Sequence, residues 1–477
     1  MTEKKQKDAQ SNPLATESIP KLIRMFSIPA IISMLVSSLY NIVDQIFIGR
    51  GVGLLGNAAT NIAFPVVIIT TAVSLLCGIG GATMFNLERG AGSERKAVRA
   101  AGNAVTMLIA IGAVITAGVL AFLKPLVIFL GSTDAVMPYA LDYLGITVLG
   151  TVFCTLTTGA SCLIRADHSP NYSMACMLTG CVINAVLNPL FILGFGWGIK
   201  GGAWATVIGQ VISCVMVILY FLRFSHMHLT RKDFFLRGKY IAKICAYGVG
   251  AFINQIAMAI VAVILNNVLK KYGAASEYGA DIPLACVGII TKVNMVFFAI
   301  VIGVAQGCQP IWGFNAGARK FTRVIDALKI SSIICVATGV VFFLLFQFFP
   351  REIISIFGDG SVVDPVTHVV YDSELYYKFS VQVFRIYLFM AFVNGLQPLA
   401  SSLFTSIGKA KLGAFMSLTR QVIFLIPLLC ILPMFYGING VVYATPIADA
   451  AAFVFAVVFA AREVRRMRGA VRACDAV

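Results

Sequence analysis

The chain has 477 residues, 59% of them hydrophobic and only 12% charged, and a formal net charge of +16. A soluble domain carries about 25% charged residues, so this composition excludes an ordinary soluble enzyme. The apolar runs are continuous and do not alternate, which excludes a membrane β-barrel.

Residues 1–20 are polar and lack the short apolar core and cleavage site of a signal peptide, so the first span is expected to be retained. From Ile28 to Ala461, apolar windows longer than about 18 residues recur, each enough to cross a hydrocarbon core of ~30 Å. They predict helices over 21–48, 57–87, 98–123, 135–162, 171–194, 202–223, 241–269, 283–312, 324–349, 377–407, 412–435 and 440–462. The fold class is an all-α integral membrane protein of twelve spans.

The positive charge could suggest nucleic acid, but its distribution points to a membrane. Six Lys and Arg residues fall in the odd-numbered connections: Arg50, Lys124, Lys200, Lys270, Lys271 and Arg351. Most others lie in the N-terminal segment, the even-numbered connections and the C-terminal segment. This is the positive-inside asymmetry, and it predicts a cell-membrane protein with both termini in the cytoplasm. No nucleic-acid partner is expected. Arg462, Arg465, Arg466, Arg468 and Arg472 are expected to touch anionic lipid headgroups. Of twelve cysteines, eleven lie in predicted helices and Cys474 in the tail, with no Cys-x-x-Cys pair; they read as small packing residues.

The chain divides into two halves. Gly198, Ile199, Gly201, Ala205, Thr206 and Ile208 match Gly437, Ile438, Gly440, Ala444, Thr445 and Ile447. A weaker match joins Ala91, Gly92, Arg95 and Lys96 to Ala316, Gly317, Arg319 and Lys320. A repeat of six spans keeps orientation, so the halves should be related by an axis along the membrane normal, with a cavity between them. The expected organisation is a cytoplasmic tail (1–20), a first lobe (21–223), a cytoplasmic linker (224–240), a second lobe (241–462) and a basic tail (463–477). The loop 350–376 carries Asp359, Asp364, Asp372 and Glu374 and should be a solvated outer loop.

The most informative residue is Asp44, inside the first apolar run. An ionisable group there costs roughly 3 kcal/mol or more, so it tends to face an internal cavity and to be functional. Ser37, Asn41 and Asp44 share one helix face, as do Asn184 with Asn188 and Thr206 with Gln210. A carboxylate, amide oxygens and a hydroxyl could ligand Na+ or hold a proton at Asp44. Gln306 and Gln309, one turn apart, could face the cavity or join helices. Phe64 and Met34 are candidate walls of a substrate pocket. Lys292, Arg385, Arg420 and Asp449 are ionisable groups in the second half. Arg385 and Asp449 could form a buried network there, whereas Arg420 is expected to extend to the headgroups. No Ser/His/Asp or His-Glu-x-x-His constellation and no P-loop is present, so no enzyme activity and no nucleotide cofactor are expected.

Several segments, in order and spacing, resemble the multidrug and toxin extrusion (MATE) family in its DinF/MepA-like branch. They are Ile28 and Pro29 with Tyr40, Asn41, Asp44, Gly49, Gly51 and Gly53; Gln306, Gln309, Pro310, Asn315 and Gly317; Ser417, Arg420, Gln421, Pro427 and Pro433; and Thr445, Pro446 and Asp449. The resemblance covers about 20–465. It implies a V-shaped pair of six-helix lobes, and antiport of Na+ or H+ against bulky, often cationic organic compounds. It also implies an aspartate on helices one and five, supported by an Asn and a Thr from helices five and six. Asp44, Asn184 and Thr206 fit that pattern; Asn188 stands where this branch usually has Asp, which removes one titratable group. A monomer with membrane lipid around it is expected. Competing expectations are a flippase of lipid-linked precursors, disfavoured by the few basic residues within the helices, a membrane-embedded enzyme, and a non-transporting sensor.

Overall fold

The computed structural model describes residues 13–52, 54–227, 229–279, 281–355 and 373–475. The acidic stretch of the 350–376 loop lies largely outside them. The first lobe comprises α1 (Ile19–Val52), α2 (Leu54–Gly90), α3 (Glu94–Ala121), α4 (Met137–Ala166), α5 (Pro170–Gly194) and α6 (Gly198–Phe224). The second comprises α7 (Gly238–Ala274), α8 (Asp281–Gly317), α9 (Phe321–Phe348) and a broken α10, whose halves Tyr376–Tyr387 and Ala391–Ser406 meet at 42°. The last two spans, α11 (410–436) and α12 (438–475), meet at Gly437 without a loop. The span count and order therefore match the sequence expectation. One difference is α12, which continues as helix through most of the expected tail, with Glu463 paired to Lys409 and to Arg466.

The two halves repeat in backbone detail. Gly198 and Gly437 open α6 and α12 at φ 57° and 56°, a left-handed conformation that glycine adopts without steric cost. The turn after α2 closes with hydrogen bonds from Gly92 N to Arg89 O (3.0 Å) and Ser93 N to Glu88 O (2.8 Å). The turn after α8 closes the same way, from Arg319 N to Ala316 O (3.1 Å) and Lys320 N to Asn315 O (2.8 Å). These are Schellman caps. The left-handed residue of the second is Arg319 (φ 58°), so Gly92 corresponds to Arg319 and not to Gly317 as the sequence match suggested.

The linker is strapped to the first lobe. Thr230 and Asp233 form a capping box, Asn103 on α3 donates to the Asp233 carbonyl (3.1 Å) and accepts from Arg237 N (2.9 Å), and Thr106 donates to the Phe234 carbonyl (2.8 Å). Partial burial works against ionisation of Asp233, but the Thr230 hydrogen bonds and the charges of Arg99 and Arg95 outweigh it and hold the carboxyl below its ordinary range. At the turn after α4, Asp167 accepts from Tyr220 Oη (2.9 Å), Ser225 Oγ (3.0 Å) and His226 N (2.8 Å). Burial raises its pKa despite these bonds and the nearby Arg89.

The lobes meet through small residues. Lipid tails are as apolar as leucine, so helices in a membrane associate by close packing and polar contacts. A Cβ on Gly248 of α7 would overlap the Leu76 carbonyl of α2, one on Gly317 of α8 the Leu87 carbonyl, and one on Gly303 would lie 2.6 Å from Ile31 Cα of α1. Gly80, Gly90, Gly307 and Gly313 make similar approaches. Among the described residues, all these inter-lobe glycines lie in the half of the bundle where α1 begins. Replacing Gly248 by Leu should therefore cost about 1–3 kcal/mol by overpacking, seen as a lower thermal unfolding midpoint in detergent; an unchanged midpoint would contradict this packing.

Candidate functional site

The site is built on α1, α5 and α6. Asn184 and Asn188 lie one turn apart on α5 and are buried, 2% and 0% exposed. Asn188 precedes Pro189, and a π-helical turn follows at Leu190–Gly194. A hydrogen-bonded line runs across the three helices. Asn188 Nδ2 donates to Asp44 Oδ1 (2.5 Å) and to Asn184 Oδ1 (2.7 Å), Asn184 Nδ2 donates to Thr206 Oγ1 (2.9 Å), and Thr206 Oγ1 donates to Gly202 O (3.1 Å). The Asp44 carboxylate and the Asn184 oxygen both accept, so Asn188 must turn its nitrogen to them. Its own Oδ1 is thereby left buried without a partner. An orphaned acceptor beside a carboxylate is what a small cation, a proton carrier or a water would satisfy.

Among the described residues, no cationic side chain pairs with Asp44. Tyr40, one turn earlier on α1, interacts with Asp44 and with Thr206, and Tyr143 of α4 faces Asp44 as well. The sequence carried a signal for Tyr40 in its spacing of four from Asp44, but none for Tyr143, which tertiary packing brings in.

The other expected residues spread over several environments. Ser37 lies on the same helix, two turns before Asp44, and is partly buried; the Asn41 side chain lies outside the described set. Gln210 is turned to α4, where its Oε1 crowds Gly150 and finds no hydrogen bond. Gln306 Nε2 approaches Met34 Sδ at 3.9 Å, linking α8 to α1 across the lobes. Gln309 donates to Ser402 Oγ (2.9 Å) inside the second lobe, the helix-joining alternative. Phe64 is 56% exposed, adjoining Pro65 on α2.

In the second lobe Arg385 and Asp449 fall into separate sets of contacts and not the one network expected. Arg385 Nε donates to the Gln347 carbonyl (3.2 Å) and lines a shallow depression of about 810 Å³ with Arg351, Glu374, Tyr377, Lys378 and Gln382. Lys292 is exposed on α8. Asp449 instead meets Arg420, with Nε to Oδ1 at 2.5 Å, and accepts from Asn394 Nδ2 (2.8 Å). Arg420 does not extend to the headgroups: its side chain is 12% exposed and its guanidinium lies over the Phe298 ring, 5.2 Å from the centroid. It lies in the π-helical turn Thr419–Leu425.

Two helical lobes, joined face to face by small residues and carrying a buried oxygen-rich line on one side and a buried ion pair on the other, define a polytopic membrane protein of the two-lobed transporter class. The comparisons place it within that class. The MatE family profile matches residues 29–190 and 256–431, and the chain belongs to this family. It is 24% identical to the multidrug export protein MepA of Staphylococcus haemolyticus over 449 residues, covering 93% of each chain. The MATE multidrug transporter DinF-BH, solved as a complex with a ligand, is 32% identical with a TM-score of 0.82, covering 94% of this chain and 96% of that one. An outward-facing MATE family transporter of the MOP superfamily superposes with a TM-score of 0.86 at 20% identity, covering 96% and 98%.

The ion pair yields a prediction. Removing one partner of a buried pair strands the other charge and costs about 3–5 kcal/mol, whereas replacing both by apolar residues is close to neutral. Arg420→Met alone should sharply lower thermal stability in detergent, and Arg420→Met with Asp449→Leu should recover most of it. Equal losses in the single and double variants would contradict the pairing.

Proposed function

We propose that the chain is a secondary active multidrug exporter of the cell membrane, exchanging Na+ or H+ for small organic cations by alternating access. Asp44 carries the coupling cation, with Asn184, Asn188 and Thr206 holding it in line. The observation that carries this reading is the hydrogen-bonded line ending on a carboxylate that no described cationic side chain neutralises. A proton or sodium ion there cancels the charge, and its departure leaves an anionic partner for a cationic substrate. Each elementary charge moved across 100 mV is worth about 2.3 kcal/mol, enough for one ion to support a substantial substrate gradient.

Asn188 cannot exchange a proton near neutral pH, so in this lobe Asp44 is the titrating group and Asn188 supplies orientation and an oxygen. The names of the relatives support a drug-like substrate: MepA is a multidrug export protein, and DinF-BH is a multidrug transporter. The inter-lobe contacts, gathered where α1 begins, support an arrangement closed on that side, the cytoplasmic one by the charge distribution.

The test is counterflow of a fluorescent cation in proteoliposomes with an imposed gradient of pH or of sodium. One of the two gradients should drive transport, and with a tenfold ion gradient, worth ~1.4 kcal/mol, Asp44→Asn should reduce the driven accumulation about tenfold. Driven transport by Asp44→Asn equal to that of the parent would refute the assignment.

A further inference from the structure

On the side where α1 begins, the leading segment of the first lobe is built into the second. Leu14, Leu22 and Phe26 are wholly buried in a cluster with Phe297, Trp312 and Leu403. The backbone is held as well. Arg323, in the first turn of α9, donates from Nη2 to the carbonyls of Leu14 (3.1 Å) and Glu17 (2.6 Å), and from Nε to Asn315 Oδ1 (3.1 Å). Asn315, itself 0% exposed, donates to the Leu14 carbonyl (3.2 Å), and Lys320 Nζ lies 3.5 Å from the Ala15 carbonyl. Those carbonyls belong to the short helix Pro13–Thr16 and the residues after it, whose last acceptors have no partner within their own helix. The guanidinium supplies the donors in a fixed fork that a lysine cannot reproduce.

The same segment also touches the first lobe. Phe26 meets His168 of the α4–α5 turn edge to face, with centroids 6.5 Å apart. Ser27 lies under Gly307 of α8 and points its hydroxyl at the Val304 carbonyl (3.5 Å). The base of α1 is thus wedged between the lobes, and α1 is the helix that carries Asp44.

We propose that Arg323 is a latch: it fastens the leading segment of α1 to the second lobe while this side of the bundle is closed, and it lets go when the lobes part here. The inference rests on the alternating-access reading above. Charge-assisted hydrogen bonds to backbone carbonyls are strong enough to bias a two-state equilibrium without fixing it. The latch therefore sets the ratio of closed to open molecules, and it leaves the coupling residues untouched.

The test is double electron–electron resonance on the full chain in nanodiscs. The background carries Cys430→Ser and Cys474→Ser, with spin labels at Glu94→Cys and Thr322→Cys, exposed positions on this side of the two lobes. The parent should show a short and a long inter-lobe distance, their ratio depending on pH or sodium. Arg323→Ala should raise the long-distance fraction about threefold or more relative to the short one. Arg323→Lys, which keeps the charge and loses the fork, should fold like the parent and raise it by less, so it carries the test if the alanine variant does not fold. A parent that exchanges between both distances while the Arg323 variants keep its ratio overturns the latch alone. A parent held at one distance under every ion condition overturns alternating access, and the latch with it.

Discussion

A carboxylate inside a helical bundle needs something to meet its charge, and among the described residues around Asp44 amide and hydroxyl dipoles do so, with no cationic side chain paired to it. The line from Thr206 through Asn184 and Asn188 is fully committed in one direction: every amide nitrogen is used, and the Asn188 oxygen is left over beside the acid. Low dielectric makes such a partly satisfied network costly. It also makes the network sensitive to a single added positive charge, the property a coupling site requires. The packing of α1 against α5 and α6, and of both against Tyr143, holds these groups within hydrogen-bond reach.

The second lobe treats the corresponding problem differently. By the match of Gly198 to Gly437, Thr445 stands where Thr206 does, and Asp449 stands where Gln210 does. The first lobe thus has its acid on α1 and a neutral amide on α6, while the second has an acid on α12 already met by Arg420 and Asn394. Among the described residues, the first lobe's acid has no cationic partner, and the second lobe's is paired with Arg420. This division is consistent with ion exchange confined to the first lobe and with a second lobe that serves as a stable partner surface.

Much of this was legible in the chain because membrane helices announce themselves by long apolar runs, and because a left-handed glycine at the start of α6 and α12 leaves the same short motif twice. Polar residues are rare in such helices, so Asp44, Asn184, Asn188, Thr206 and Gln210 stood out at helical spacing, and the family resemblance joined Asp44, Asn184 and Thr206 into one set. Three things were hidden. Tyr143 and Asn394 reach their partners only through tertiary packing. Arg420 reads as a headgroup residue from its place near a helix end, whereas its partners Asp449 and Phe298 meet it through tertiary packing. The role of residues 13–26 as part of the second lobe's core was also invisible, since their acceptors are backbone carbonyls and carry no side-chain signature.

The most direct measurement is cation release on substrate binding. Purified protein in weakly buffered detergent solution is mixed with a fluorescent organic cation, and released protons and sodium are followed by a pH dye and a sodium electrode. The account predicts about one monovalent cation released per substrate bound, and none from Asp44→Asn. Substrate binding with no release from the parent, or equal release from Asp44→Asn, would contradict it.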